Sequence, residues 1–211
     1  MDMDNMMNEM GGAFMVCWLA GGMDSLEGAL VLAAAWMAIS GAHILPVITW
    51  GHIMTGDLGD TDAWMDNGSR LVAQFVGAAI ALAIMGDFGE FAAATAEQAT
   101  TGFGIDTGEV VMAIAGGALM WTVYSRCDAW VAAFAVMALA GAGGLDVTGA
   151  GDMAAQLLGG GADAVPESAA GAGDGMDAVV VDSMDAVVDW VMTGLWAGVG
   201  ALVATKVPDM V

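Results

Sequence analysis

Ser40-Gly41-Ala42-His43-Ile44-Leu45-Pro46-Val47-Ile48-Thr49-Trp50-Gly51 has an echo at Thr148-Gly149-Ala150-Gly151-Asp152-Met153-Ala154-Ala155-Gln156-Leu157-Leu158-Gly159. Each stretch opens on hydroxyl-Gly-Ala and closes on Gly, and 148 minus 40 places them 108 positions apart. Glu9 and Glu109, 109 minus 9 or 100 positions apart, stand at the openings of the first and fourth apolar segments. If each half crosses a membrane three times, the halves have opposite orientation, because three is odd; that is the inverted repeat of many transport proteins.

The rest of the chain suits that reading. Of its 211 residues 58% are hydrophobic, with a mean hydropathy of +0.72, more apolar than one soluble core of this size needs. A hydrocarbon core of ~30 Å takes roughly 20 mainly apolar helical residues. Segments approaching that length lie at about 11–22, 26–42, 71–85, 110–124, 129–144 and 187–205. Apolar residues surround these segments on all sides, as in helices buried in lipid or in a bundle, and their Gly and Ala content permits close helix contact. A large soluble helical core is the plainer alternative.

Arg70, Arg126 and Lys206 are the three cations, against 25 acidic residues, for a formal net charge of -22. With six crossings and a cytoplasmic N-terminus all three fall on the cytoplasmic side, as the positive-inside rule asks; the C-terminus is then cytoplasmic too, in a cell membrane. The negative charge disfavours nucleic acid and anionic substrates. Its origin is open between salt adaptation and a skewed genome composition. Met1 to Met10 lacks the positive region of a cleaved signal peptide. Cys17 and Cys127 have no metal or disulfide spacing, and about 160–184 reads as a flexible Gly-rich acidic loop.

Taken together, these motifs resemble the major intrinsic protein family, the aquaporins and glycerol facilitators. Ser40-Gly41-Ala42-His43 with Pro46 and Thr49 is similar to the first signature, with Leu45 in place of Asn and Val47 in place of Ala. The second stretch is similar to the second signature, with Met153 for Asn, Ala154 for Pro, Ala155 retained and Gln156 for Arg. Ala73-Gln74-Phe75-Val76-Gly77-Ala78 resembles the third helix, Gly194 and Gly198 the sixth, and Glu9 and Glu109 the glutamates near the starts of helices one and four. The resemblance implies one all-α membrane domain over 1–211, with six transmembrane helices and two re-entrant half-helices. Repeat 1 would span about 5–86 and repeat 2 about 108–206, with loops at about 87–107 and 160–184. It also implies a homotetramer with one pore per subunit.

In the family two half-helices meet at the membrane midplane, where their N-terminal partial charges repel cations. Pro46 suits the first turn of such a half-helix, because its missing N–H has no helical partner there. Leu45 and Met153 cannot offer the amide donors of the family's asparagines, so the midplane is expected to be more apolar. Asp152 reads either as an N-cap of the second half-helix or as an ionisable group near the pore, the latter opening an ion or proton pathway as a third possibility. Ungapped matching places Ser25, Gly141, Ala150 and Gln156 at the selectivity constriction. With no bulky aromatic and no fixed guanidinium, that constriction is expected to be wide and uncharged.

His43 and His52 read as packed, hydrogen-bonded imidazoles; nine positions apart, they are not a helical metal pair. Trp36, Trp50, Trp64, Trp121, Trp130, Trp190 and Trp196 lie mostly near segment ends, as interfacial anchors do. No phosphate loop, nucleophile triad or metal cluster is present in the sequence, so neither an enzyme nor a cofactor is expected. The expected function is a passive channel for water or a small neutral solute such as glycerol. The alternative is a non-conducting accessory membrane subunit that keeps the fold, with Leu45 and Met153 plugging the path.

Overall fold

The computed structural model describes residues 3–20, 25–39, 41–85, 107–141, 154 and 183–207. Among them are seven helices and no strand: α1 Met3–Ala20, α2 Leu26–Ala38, α3 Pro46–Thr55, α4 Thr61–Met85, α5 Thr107–Arg126, α6 Ala129–Gly141 and α7 Ser183–Lys206.

Local chemistry sets several of these ends. The Ser25 hydroxyl accepts the Gly28 N–H at 2.9 Å and caps α2. Asp60 accepts the N–H groups of Asp62 and Ala63 at the start of α4, and Asp128 accepts that of Val131 at the start of α6. Helix α3 begins at Pro46, whose ring suits a first helical turn, and stops at Gly56 after 10 residues. At 1.5 Å per residue that is about 15 Å, half a hydrocarbon core.

The helices exceed the apolar segments at their polar ends. Helix α4 starts at Thr61 rather than near 71, and α1 starts at Met3 rather than near 11. Hydropathy reports the solvent of a segment, whereas helix formation continues through Asp, Asn and Glu wherever caps and good helix formers allow. Helix α2 instead ends early, at Ala38. Beyond it Gly41 (φ +82°) and Ile44 (φ +66°) adopt left-handed geometry, which ends helical pairing.

The packing follows a pattern repeated in both halves. Helix α1 lies on α2 and α4, α5 lies on α6 and α7, and α2 meets α6. Short α3 sits against α4, α5 and α7. Glycines allow the backbones to touch: a side chain at Gly77 would enter the Met10 backbone, one at Gly117 that of Ala197, and one at Gly200 that of Ile114. Such small-residue contacts permit close helix packing in apolar surroundings.

The interior is mainly apolar with a small polar cluster, and large apolar side chains also lie outside. Buried positions include Glu9, His43, Thr49 and Gln74 among apolar residues that range from alanines to Leu32, Ile48, Leu82 and Met120. The outer faces carry Val72, Val76, Ile80 and Ile84 at every fourth position of α4, and Val111, Met112 and Leu119 on α5. Among the described residues α4 and α5 are long and apolar enough to cross a membrane, while the apolar stretches Leu26–Ala38 and Ala129–Ala140 are shorter.

Candidate functional site

Among the described residues, the buried polar side chains gather at the segment between α2 and α3. Glu9, on α1 and with no exposure to solvent, accepts four hydrogen bonds. Its Oε1 takes the His43 N–H at 2.6 Å and Arg70 Nη1 at 2.6 Å. Its Oε2 takes the Ile44 N–H at 2.7 Å and Gln74 Nε2 at 2.7 Å. One carboxylate therefore ties the loop to α4.

The loop's carbonyls are held as well. Arg70 Nη1 also donates to the Gly41 carbonyl at 3.0 Å, and Trp36 Nε1 donates to the His43 carbonyl at 3.0 Å. These bonds keep Ile44 in a left-handed conformation that costs a β-branched residue on the order of 1–3 kcal/mol. Charge-assisted bonds to a buried carboxylate are strong enough to offset that cost. Gly12 gives the Ile44 side chain its seat, since a Cβ there would meet Ile44 Cγ1 at 2.6 Å.

The same folding brings the two histidines together. His43 Nδ1 lies 3.1 Å from Thr49 Oγ1, and the His43 and His52 rings stack in parallel with centroids 4.1 Å apart. His52 presents its ring edge-on to Trp121 and Tyr124. Gly51 leaves room for Trp121, whose ring a side chain there would strike. Beside this stack an open pocket of about 220 Å³ is lined by Trp36, Gly41, Ala42, Tyr124, Cys127, Ala129 and Ala132.

The residues singled out in the sequence fall unevenly around this cluster. His43 is in it; Leu45 is buried at the N-cap of α3, Pro46 is buried in the first turn, and half-buried Val47 follows. Ala154 is buried against Ala78 and Leu82 of α4. Ser25 serves as the cap of α2, and Gly141 is the last residue of α6. Ala150, Asp152, Met153, Ala155 and Gln156 lie outside the described residues.

One feature differs from the sequence expectation and a second goes beyond it. Trp50 and Trp190 are buried instead of anchoring at a surface, and Trp50 packs against Gly194, because α3 is enclosed by longer helices. The histidines form a contact pair although their spacing suits neither a helix face nor a strand face, because His43 lies before α3 where the chain reverses. Arg70 was legible only as a topology signal; its partner Glu9 lies 61 positions away, and nothing local in the sequence announces the pair.

The comparisons find no matching family model, no matching curated protein and no matching solved structure.

Proposed function

We propose that the chain is a passive membrane channel of the aquaporin type, moving water or small neutral solutes such as glycerol. The observation that carries this reading is a buried polar cluster beside apolar outer faces on the two membrane-length helices. Glu9, His43, Thr49 and Gln74 are buried at the start of a half-length helix, while the two helices long and apolar enough to cross a membrane, among the described residues, expose Val72, Val76, Ile80, Ile84, Val111 and Leu119. Large apolar side chains repeated along an exposed helix face suit contact with lipid, and irregular backbone at membrane depth needs this kind of internal satisfaction.

In this reading the loop 41–45 and α3 form the first re-entrant segment. The α3 N-terminus directs its partial positive charge against cations, and the pocket beside Trp36 and Tyr124 is the cytoplasmic mouth. Six crossings, the second half-helix, the constriction of Ser25, Gly141, Ala150 and Gln156, and a homotetramer in a cell membrane with cytoplasmic termini complete the proposal by family resemblance. No catalytic step and no cofactor is assigned.

Purified chain in liposomes, followed by light scattering after osmotic shock with sucrose and then glycerol, tests it. The expected result is shrinkage faster than that of empty vesicles and rapid glycerol re-entry. Rates equal to those of empty vesicles sink the channel reading. They leave the accessory-subunit reading, which the burial of Ile44 and Leu45 at the tip of α3 favours.

A further inference from the structure

We infer that the open pocket beside Trp36 and Tyr124 is a binding site for an uncharged, single-ring aromatic alcohol, and that its occupant closes the cytoplasmic mouth. The closing half of this inference rests on the channel reading; the binding half does not.

Four pieces of chain build the pocket. Trp36 comes from the last turns of α2, Gly41 and Ala42 from the loop before α3, Tyr124 from the last turn of α5, and Ala129 and Ala132 from the start of α6. The Trp36 and Tyr124 rings lie 5.6 Å apart at 56°. Each is held from a second side: Trp36 Nε1 donates to the His43 carbonyl at 3.0 Å, and Tyr124 packs beside Trp121 and His52. The aromatic wall is therefore preformed, and an occupant has little ordering of the protein to offset.

The lining selects the class of occupant. No charged side chain is part of it, so an ion entering would lose hydration without gaining a partner. Arg70, behind the loop, is engaged by Glu9 and the Gly41 carbonyl and is not in the lining. Ala42, Ala129 and Ala132 supply only methyl groups, which leave room and favour an apolar body. The volume of about 220 Å³ exceeds the ~150 Å³ of an apolar cavity that takes up benzene and falls short of the roughly 300 Å³ at which drug-sized sites begin. One ring with a small substituent fits between these limits.

Two further contacts favour an aromatic alcohol over other neutral molecules. A planar ring set offset or edge-on to aromatic neighbours gains a severalfold affinity over an aliphatic ring of equal area. The Tyr124 hydroxyl has no hydrogen-bond partner among the described residues, and a hydroxyl on the occupant can both donate to it and accept from it. Because Gly41 and Ala42 belong to the loop that opens the half-length helix, a ring seated against them narrows the approach to that helix.

Cys127 is a native reporter: its thiol is free and exposed, and it lines the pocket. The test is the rate of Cys127 alkylation by N-ethylmaleimide in the purified chain, read by peptide mass mapping with Cys17 as internal reference. Phenol is the probe, and cyclohexanol and benzoate are the controls for ring planarity and charge. An affinity on the order of 1 mM, usual for so small a ligand, makes ~10 mM phenol slow alkylation of Cys127 about tenfold. Cyclohexanol is expected to protect several-fold less and benzoate not at all, and Tyr124→Phe should weaken phenol about fivefold, the size of one lost hydrogen bond. Absence of protection by phenol overturns the site, and equal protection by all three overturns the assigned class. In liposomes phenol should slow osmotic water flow over the same concentration range as it protects Cys127. Protection with water flow unchanged refutes the closing role while the channel reading stands. Protection in a chain that conducts nothing refutes the channel reading while the binding site stands.

Discussion

Arg70 Nη1 lies 2.6 Å from Glu9 Oε1, joining α4 to α1 across 61 positions of sequence, and the Glu9 side chain has no exposure to solvent. A charge taken fully out of water is stable only when paired and hydrogen-bonded. The carboxylate answers that demand by collecting two backbone N–H groups of the loop before α3, so the ion pair and the loop conformation depend on each other.

Glu9→Gln should therefore destabilise the fold by about 3–5 kcal/mol, since it leaves Arg70 without its partner and weakens both loop bonds. Arg70→Met should also destabilise it, and the double variant should cost at least about 1 kcal/mol less than the sum of the single ones. Denaturant unfolding in micelles gives all three values. Strict additivity would mean that the two side chains do not interact.

The close helix contacts make a contrast among glycines. Gly77→Ala should cost about 1–3 kcal/mol, because the new methyl group meets Met10 backbone that cannot move aside. Nothing lies within 4 Å of a Cβ at Gly11, so Gly11→Ala should be neutral or slightly stabilising through helix propensity. Melting temperatures of the two variants decide it; equal losses would refute the α1–α4 contact.

A charge on the outer stripe of α4 tests the membrane reading. Ile80→Lys places an ammonium on a face that is exposed and apolar, at a cost of roughly 2.5–3.5 kcal/mol near a bilayer centre. The expected outcome is loss of membrane integration, scored by flotation after alkaline extraction. Unimpaired integration of Ile80→Lys, with Ile80→Leu as control, would argue that α4 does not face lipid.

The path itself has two levers. Leu45→Asn puts an amide at the N-cap of α3, where the side chain can cap the helix as well as meet solute, and should raise water permeability several-fold in liposomes. Gly141→Trp should block glycerol before water. Unchanged rates in the first variant would show that Leu45 does not limit flow, and unchanged rates in the second would refute the placement of Gly141 at the constriction.

What could be read from the sequence was what depends on local chemistry. The apolar segments coincide with helices, Pro46 opens a helix because its ring suits the first turn, and small residues in α4, α5 and α7 mark close packing. The ends were less legible at α1 and α4, where polar first turns are helical but not apolar. For the candidate site, His43 and the loop were visible as a motif, and the carboxylate that holds the loop was visible as a glutamate near the start of the first segment.

Sequence alone determined where the apolar segments lie, their apolar character and the turn that starts α3, since caps, propensities and hydropathy act over a few residues. Only the tertiary structure decided that Glu9 meets Arg70, that His43 stacks on His52, that Ile44 is left-handed, and that Trp50 and Trp190 are interior. Those relations join positions that come together when helices pack, and burial then makes each unpaired donor or acceptor costly enough to select one arrangement.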